Sequence, residues 1–199
     1  IINQLRGAAS EKNISIFVRG AASELARTWS AMQSNVITAI LVIFLLLVIL
    51  LKSFSMPLII LLVVPVASTG GIAALALLNQ FIKQPLDMLT MLGFVILTGI
   101  VVNNAILLVE QTILQVKEEG MQIYDAIVEA TRNRIRPIFM STLTSLFGLV
   151  PLVIFPGAGS ELYRGIGVVV FGGLALSTFA TLLIVPPLLS VFSKSIQKN

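Results

Sequence analysis

The stretch "ILVIFLLLVILL" at residues 40–51 consists of twelve consecutive apolar side chains. A helix with this sequence is apolar on every face, which is typical of a helix surrounded by lipid. It lies in one of five stretches without Asp, Glu, Lys or Arg, each longer than the roughly 20 residues that a helix needs to cross a bilayer. The five stretches are residues 28–51, 53–82, 88–109, 137–160 and 165–193. They predict an all-α integral membrane protein with a bundle of five transmembrane helices.

The composition of the whole chain also indicates a membrane protein. Hydrophobic residues make up 57% of its 199 residues and charged residues 11%, whereas a soluble domain has about 25% charged residues. The mean hydropathy is +1.02. The sequence has no His and no Cys, so the commonest metal ligands and catalytic bases are absent, and we expect no metal and no cofactor. We attribute the net charge of +4 to the loops and expect no nucleic-acid partner.

Polar turns and prolines set the expected limits of the spans. We predict membrane-spanning helices at about residues 32–51, 56–78, 88–109, 138–155 and 165–192. Pro65 falls inside the second span and predicts a kink. Residues 1–30 are expected to be the end of an extramembrane domain, with a strand at 14–20 and then a helix leading into the first span, and residues 194–199 are a polar tail. Because the chain begins with Ile1 rather than Met, we expect it to be a piece of a longer protein.

The long loop at residues 110–136 contains an amphipathic segment. Tyr124, Ile127, Val128 and Thr131 share one helical face, and acidic residues lie off it. The pattern predicts a short interfacial helix that lies along the cytoplasmic membrane surface.

The distribution of Lys and Arg predicts the orientation of the chain. Seven of these residues follow spans one, three and five, whereas the other two short loops hold Lys83 and Arg164. Cytoplasmic loops carry the excess of positive charge, so we expect a cytoplasmic C-terminus and an N-terminal arm on the opposite side. The simplest interpretation of Arg132, Arg134 and Arg136, at the head of span four, is that they are anchors on the cytoplasmic side.

Two adjacent amides, Asn103 and Asn104, interrupt the apolar sequence of span three in "GIVVNNAILLVE". On a helix their side chains point about 100° apart and can contact different neighbours. They either hold helices together, at about 0.6 kcal/mol per hydrogen bond, or belong to a functional polar site inside the bundle. Gly99, one turn before Asn103, is expected to admit another helix. Gly172 and Gly173 in span five are expected to be packing sites rather than hinges.

Hydroxyl side chains are common in the last two spans: Ser141, Thr142, Thr144, Ser145, Ser177, Thr178 and Thr181. They either line a hydrated path or bond the carbonyls of their own helices. No span contains an Asp, Glu, Lys or Arg, so these helices alone cannot form a proton relay. If the chain serves a proton-driven machine, the titrating acids lie elsewhere.

Three long segments of the sequence resemble one known family. They are "LGFVILTGIVVNNAILLVE", "DAIVEATRNRIRPIFMSTLTSLFGLVPLVIFPGAGSE" and "VFGGLALSTFATLLIVPPLL". They are similar to the C-terminal membrane region of RND (resistance-nodulation-division) efflux pumps of the hydrophobe/amphiphile, or acriflavin-resistance, type. The earlier "KSFSMPLIILLVVPVASTGG" resembles the turn between the eighth and ninth helices of that family. The resemblance covers residues 18–192 and implies that spans one to five are helices eight to twelve of twelve, within the second six-helix repeat.

This resemblance implies a homotrimeric drug/proton antiporter of the bacterial inner membrane, with the N-terminal arm in the periplasm. Such a pump works with a periplasmic adaptor and an outer-membrane channel, and protons are its coupling ion. In the family, two aspartates on the fourth helix, in the N-terminal half of the transporter, pair with polar residues on helices ten and eleven.

Several residues of this chain fall on the relay positions of that family. The relay lysine falls on Asn103, the following asparagine on Asn104, the relay threonine on Ser141 and a cytoplasmic-side arginine on Arg134, and Thr142 is expected to support the same site. Asn103 departs from the best-known members of the family, although other branches resemble this chain in having an asparagine pair. Without the lysine, the charge of one aspartate must be balanced by protonation or by water.

Three other functions are alternatives to drug export. A related RND-fold machine that assists protein or lipid export would use the helices to transmit motion, and the asparagines would then be structural. An intramembrane protease needs a catalytic acid, or a serine with a base, within a span, and the spans contain neither. A self-standing channel is disfavoured because five helices without a ring of charges do not form a selective pore.

Overall fold

The computed structural model describes the backbone of residues 21–155 and 160–192, and the side chains of residues 34–155 and 162–192. The strand expected at residues 14–20 lies outside this part. Six helices follow one another: α1 (Ala21–Leu51), α2 (Ser55–Leu61), α3 (Val63–Asn79), α4 (Met88–Lys117), α5 (Ile123–Ile154) and α6 (Ser160–Val191). Since α2 and α3 together form one span, the described residues contain five spans that are long and apolar enough to cross a membrane, and no strand. The predicted all-α membrane bundle is confirmed.

The second span is interrupted at Leu62, three residues before Pro65. Proline has no N–H, so Pro65 cannot donate to the carbonyl of Leu61, and the hydrogen-bond ladder of the helix opens there. Leu62 keeps helical angles (φ −66°, ψ −20°), and its N–H donates to the carbonyl oxygen of Leu58 at 3.1 Å. The interruption is therefore one residue long, and α2 and α3 together form one span, Ser55–Asn79.

The segment between spans three and four differs from the prediction. α4 continues to Lys117, two turns beyond the expected end, and the expected interfacial helix is the first part of α5. α5 passes through Pro137 without ending, because this proline removes a single helix bond, to the carbonyl of the exposed Asn133. The interfacial helix and span four therefore form one helix of 32 residues. Gly120, with φ +65°, makes the turn that precedes it.

α6 is the central helix and packs against α3, α4 and α5. Its glycines bring α3 very close. A Cβ added to Gly172 would lie 2.6 Å from the carbonyl oxygen of Gly70, and a Cβ added to Gly173 would lie 2.9 Å from that of Ala67. Both distances are too short for a side chain, so the two backbones are in direct contact. Gly172 and Gly173 thus lie at a helix–helix contact of the kind that small residues allow in membranes.

The start of α4 is fixed by Asp87. One carboxylate oxygen of Asp87 accepts the backbone N–H of Thr90 at 2.8 Å and the Thr90 hydroxyl at 2.7 Å. Such an acidic cap satisfies a free N–H group and suits the positive end of the helix dipole. Gly165 of α6 lies directly against Thr90, so the cap also sets where α6 meets α4.

α1 lies at the edge of the bundle, where it contacts α2 and α4. Leu41, Leu46 and Ile49 are exposed along its length. This exposure agrees with the uniformly apolar sequence of the first span, most of whose surface is left for lipid.

We expect Gly172→Ala to destabilise the bundle by about 1–3 kcal/mol, because the added methyl group overlaps atoms of α3. Thermal unfolding of the full-length protein in detergent measures the change. Ala76→Val is the control, since it also enlarges a small side chain, but at an exposed position of α3. An equal loss of stability in the two variants would contradict the close contact.

Candidate functional site

Asn103 lies on an exposed stripe of α4. The exposed positions of the stripe follow helical spacing: Leu92, Ile96, Gly99, Asn103, Glu110 and Leu114. Within the described residues the Asn103 side chain has no hydrogen-bond partner. An amide without a partner in lipid costs a few kcal/mol, so a stripe with an amide near the middle of a span is expected to face protein or water.

Gly99 does not contact another helix in the part of the chain that the structure describes. A Cβ added there would meet nothing within 4 Å. That Gly99 admits another helix stays a prediction, and the space at Gly99 is open for one. The buried side of α4 carries Leu97, Val101, Ala105 and Leu108, and the bundle packs on that side.

Asn104 is half-buried, and its side of α4 carries two further amides. Gln111 and Gln115 follow it at seven and eleven residues, which places all three on one helical face. A guanidinium N–H of Arg134 on α5 donates to Oε1 of Gln111 at 3.1 Å. Gln115 is 2% exposed, and its Oε1 has no partner among the described residues. Neither glutamine was among the predicted site residues, although their spacing from Asn104 was an available signal.

Ser141 lies at about the same depth as Asn103. The bond between Arg134 and Gln111 sets the relative height of the antiparallel helices α4 and α5. Asn103 is about 12 Å along the axis from Gln111, and Ser141 is about 10.5 Å from Arg134, at 1.5 Å per residue. The structure therefore brings Asn103 and Ser141 to one level, with the Arg134–Gln111 pair about two turns away.

α5 has two different exposed stripes. One is apolar and consists of Met140, Leu143, Phe147 and Ile154. The other carries small or hydroxyl side chains and consists of Ser141, Thr144, Ser145 and Gly148. The Ser141 and Thr144 hydroxyls donate to carbonyl oxygens of their own helix at 3.0 and 2.8 Å. The apolar stripe suits lipid, whereas the small stripe suits a closely packed helix.

Thr142 does not belong to the exposed small stripe. It is 4% exposed, and its hydroxyl lies 2.9 Å from the Thr178 hydroxyl of α6. Thr178 also donates to the carbonyl oxygen of Leu174 at 2.8 Å, so Thr142 donates to Thr178. The structure therefore does not bring Thr142 together with Ser141, because adjacent helical residues point about 100° apart.

The side chains at the level of Asn103 are amides and hydroxyls. They can orient water or hydrogen-bond a carboxylate, but they do not take up and release a proton. Within the described ranges, no cluster of His, Cys, Asp and Glu could hold a metal ion. Glu110, seven residues after Asn103, is the acid of α4 nearest to it in sequence.

Comparisons with known proteins give consistent matches. The sequence profile of the AcrB/AcrD/AcrF family matches residues 9–193. Proteins named "Multidrug resistance protein MdtC" are similar: that of Erwinia tasmaniensis is 36% identical over 173 residues, that of Pectobacterium carotovorum 34% over 181, and that of Salmonella paratyphi A 35% over 175. The alignments cover 85%, 89% and 88% of this chain, and 16%, 17% and 17% of those proteins. The chain thus spans about one sixth of the length of the curated relatives it matches.

We expect Thr142→Val to lower stability by about 1 kcal/mol, because it removes a hydrogen bond between α5 and α6 but keeps the shape of the side chain. Thermal unfolding of the full-length protein in detergent is the measurement. Thr38→Val is the control: Thr38 is exposed on α1 and its hydroxyl bonds the carbonyl oxygen of Ser34 in its own helix, so we expect a change within about 0.5 kcal/mol. A Thr142→Val protein as stable as the wild type would show that the bond does not stabilise the contact.

Proposed function

Because this chain belongs to the AcrB/AcrD/AcrF family of RND transporters, we propose that it forms helices eight to twelve of a proton-driven multidrug efflux pump, a drug/proton antiporter. The shared name of its relatives, multidrug resistance protein, supports this substrate class. In this assignment α1 is helix eight, α2 with α3 is helix nine, and α4, α5 and α6 are helices ten to twelve.

The observation that carries the proposal is the Asn103 amide on an exposed stripe inside a membrane span. If the amide only held these five helices together, it would bond another of them, yet it has no partner in the described residues. Ser141 on the small exposed stripe of α5 lies at the same level. The two stripes are suited to a helix of the N-terminal half that carries the acidic residues of the relay.

Asn103 can form a hydrogen bond with such an acid in both of its protonation states. An amide has both donors and an acceptor, so it can donate to a carboxylate and accept from a carboxylic acid. The lysine of other family members has donors alone. With Asn103 the charge of the carboxylate is therefore balanced by a proton or by water, and the hydrogen bond reverses direction when the proton binds. In this function the proton is the coupling ion, and no cofactor is needed.

Asn104, Ser141 and Arg134 support the site in different ways. Asn104 lies on the half-buried side of α4, where Gln111 links α4 to Arg134 of α5. This link holds the two helices in register, which keeps Ser141 beside the level of Asn103. Arg134 is thus a positioning residue at one end of the site.

The complete pump is proposed to be a homotrimer in the bacterial inner membrane, in contact with lipid and with its own N-terminal half. A periplasmic adaptor and an outer-membrane channel complete the export path. The excess of Lys and Arg after spans one, three and five supports a cytoplasmic C-terminus and a periplasmic N-terminal arm.

In the full-length protein we expect Asn103→Ala to reduce drug export about tenfold and to leave the trimer intact. A hydrogen bond to a charged group contributes about 1.5–3 kcal/mol, and the lower end of this range corresponds to about a tenfold change. Export is measured as drug accumulation in cells that lack other pumps, and proton flux is measured in proteoliposomes. Trimer content comes from size-exclusion chromatography of the purified protein.

Asn133→Ala is the matched control, since Asn133 is an exposed helical asparagine that lies outside the apolar spans. We expect it to export drug within about twofold of the wild type, as is usual for a surface substitution. Loss of the trimer in Asn103→Ala would support a structural role for the amide instead. Equal loss of export in the two variants would remove the special role of Asn103.

A further inference from the structure

A groove runs between the first half of α5 and the last turns of α6. Its volume is about 560 Å³, and its walls include Val128 and Ile135 of α5 and Leu183 and Pro187 of α6. It lies on a different part of α5 from Ser141 and the small exposed stripe. Arg132 is the charged residue among the described residues that line it.

The floor of the groove is suited to a hydrocarbon chain. Val128 is 50% exposed and Leu183 is 70% exposed, so the groove presents two large apolar side chains that are accessible to a ligand. The hydroxyl of Thr131, which also lines the groove, donates to the carbonyl oxygen of Ile127 at 2.7 Å. The groove therefore offers apolar contact and leaves no hydroxyl hydrogen free for a polar ligand.

The rim of the groove is suited to an anion. Arg132 is exposed and makes no ion pair or hydrogen bond within the described residues, whereas Arg134, two residues on, is engaged with Gln111. None of the described residues that line the groove is acidic. A guanidinium with five N–H donors and no partner matches a phosphate group.

The position of Arg132 in the sequence indicates how deep the groove lies in the membrane. Arg132 lies five residues before Pro137, where the charge-free segment of span four begins. Arginines at such a boundary lie at the level of the lipid headgroups. The rim of the groove is therefore at headgroup depth. Ile135 lies on the membrane side of Arg132, whereas Val128 lies one turn further from the span.

We propose that this groove binds one anionic phospholipid. The phosphate accepts hydrogen bonds from Arg132, and an acyl chain lies against Ile135 and Leu183. Basic pockets between transmembrane helices bind anionic headgroups for the same electrostatic reason. This inference concerns the lipid contacts of the bundle and does not rest on the proposed proton coupling.

The test is a lipid titration of the purified full-length protein, followed by native mass spectrometry with phosphatidylglycerol and, separately, phosphatidylethanolamine. We expect the wild type to retain phosphatidylglycerol preferentially, and Arg132→Gln to weaken its binding about fivefold, the effect of one basic residue near a lipid surface. Arg136→Gln removes the same charge from the same helix outside the groove and should change binding less than twofold. Equal weakening by both variants, or no preference for the anionic lipid, would overturn the proposal.

A second measurement does not depend on the arginine variants. A photoreactive benzoylphenylalanine replaces Leu183 in the groove or, as a control, Phe147 on the apolar stripe of α5. In membranes with equal amounts of the two lipids, we expect adducts at position 183 to be enriched in phosphatidylglycerol relative to those at position 147. Crosslinks from position 183 to another segment of the protein, or the same lipid ratio at both positions, would overturn the proposal.

Discussion

The direct contact of the α3 and α6 backbones is the constraint on which the rest of the bundle depends. In a membrane, lipid tails are as apolar as leucine, so helices gain little from burying apolar side chains and associate mainly through close packing. Gly70 and Gly172 allow this approach, and Gly173 extends it towards Ala67. With α3 held against it, α6 becomes the central helix against which α4 and α5 pack.

The central position of α6 determines which faces of α4 and α5 remain uncovered by the bundle. α4 uses its face with Val101, Ala105 and Leu108 to pack within the bundle, so the opposite side, which carries Asn103, is left uncovered. On α5, Thr142 bonds Thr178 across the contact with α6, and its neighbour Ser141 points out of the bundle. The polar side chains of the two helices are thus divided between an internal structural bond and an open surface that suits another helix.

The sequence was sufficient to predict the number and approximate limits of the spans, because a charge-free run of the required length is a local property. It did not predict the limits of α5. A proline usually ends a helix in water, but Pro137 is tolerated where the residue whose carbonyl it leaves free, Asn133, is exposed. Nor did it predict the different directions of Ser141 and Thr142. The rotation of a helix about its axis is set by its neighbours.

The continuity of α5 has a mechanical consequence. Its 32 residues span about 48 Å, whereas the hydrocarbon core of a bilayer is about 30 Å thick. The excess length projects from the membrane as a continuation of the same helix. A tilt of α5 inside the bilayer would therefore swing its first turns, including Tyr124, in the opposite direction. The glycine turn at Gly120 is where the chain can absorb that movement before it reaches α4.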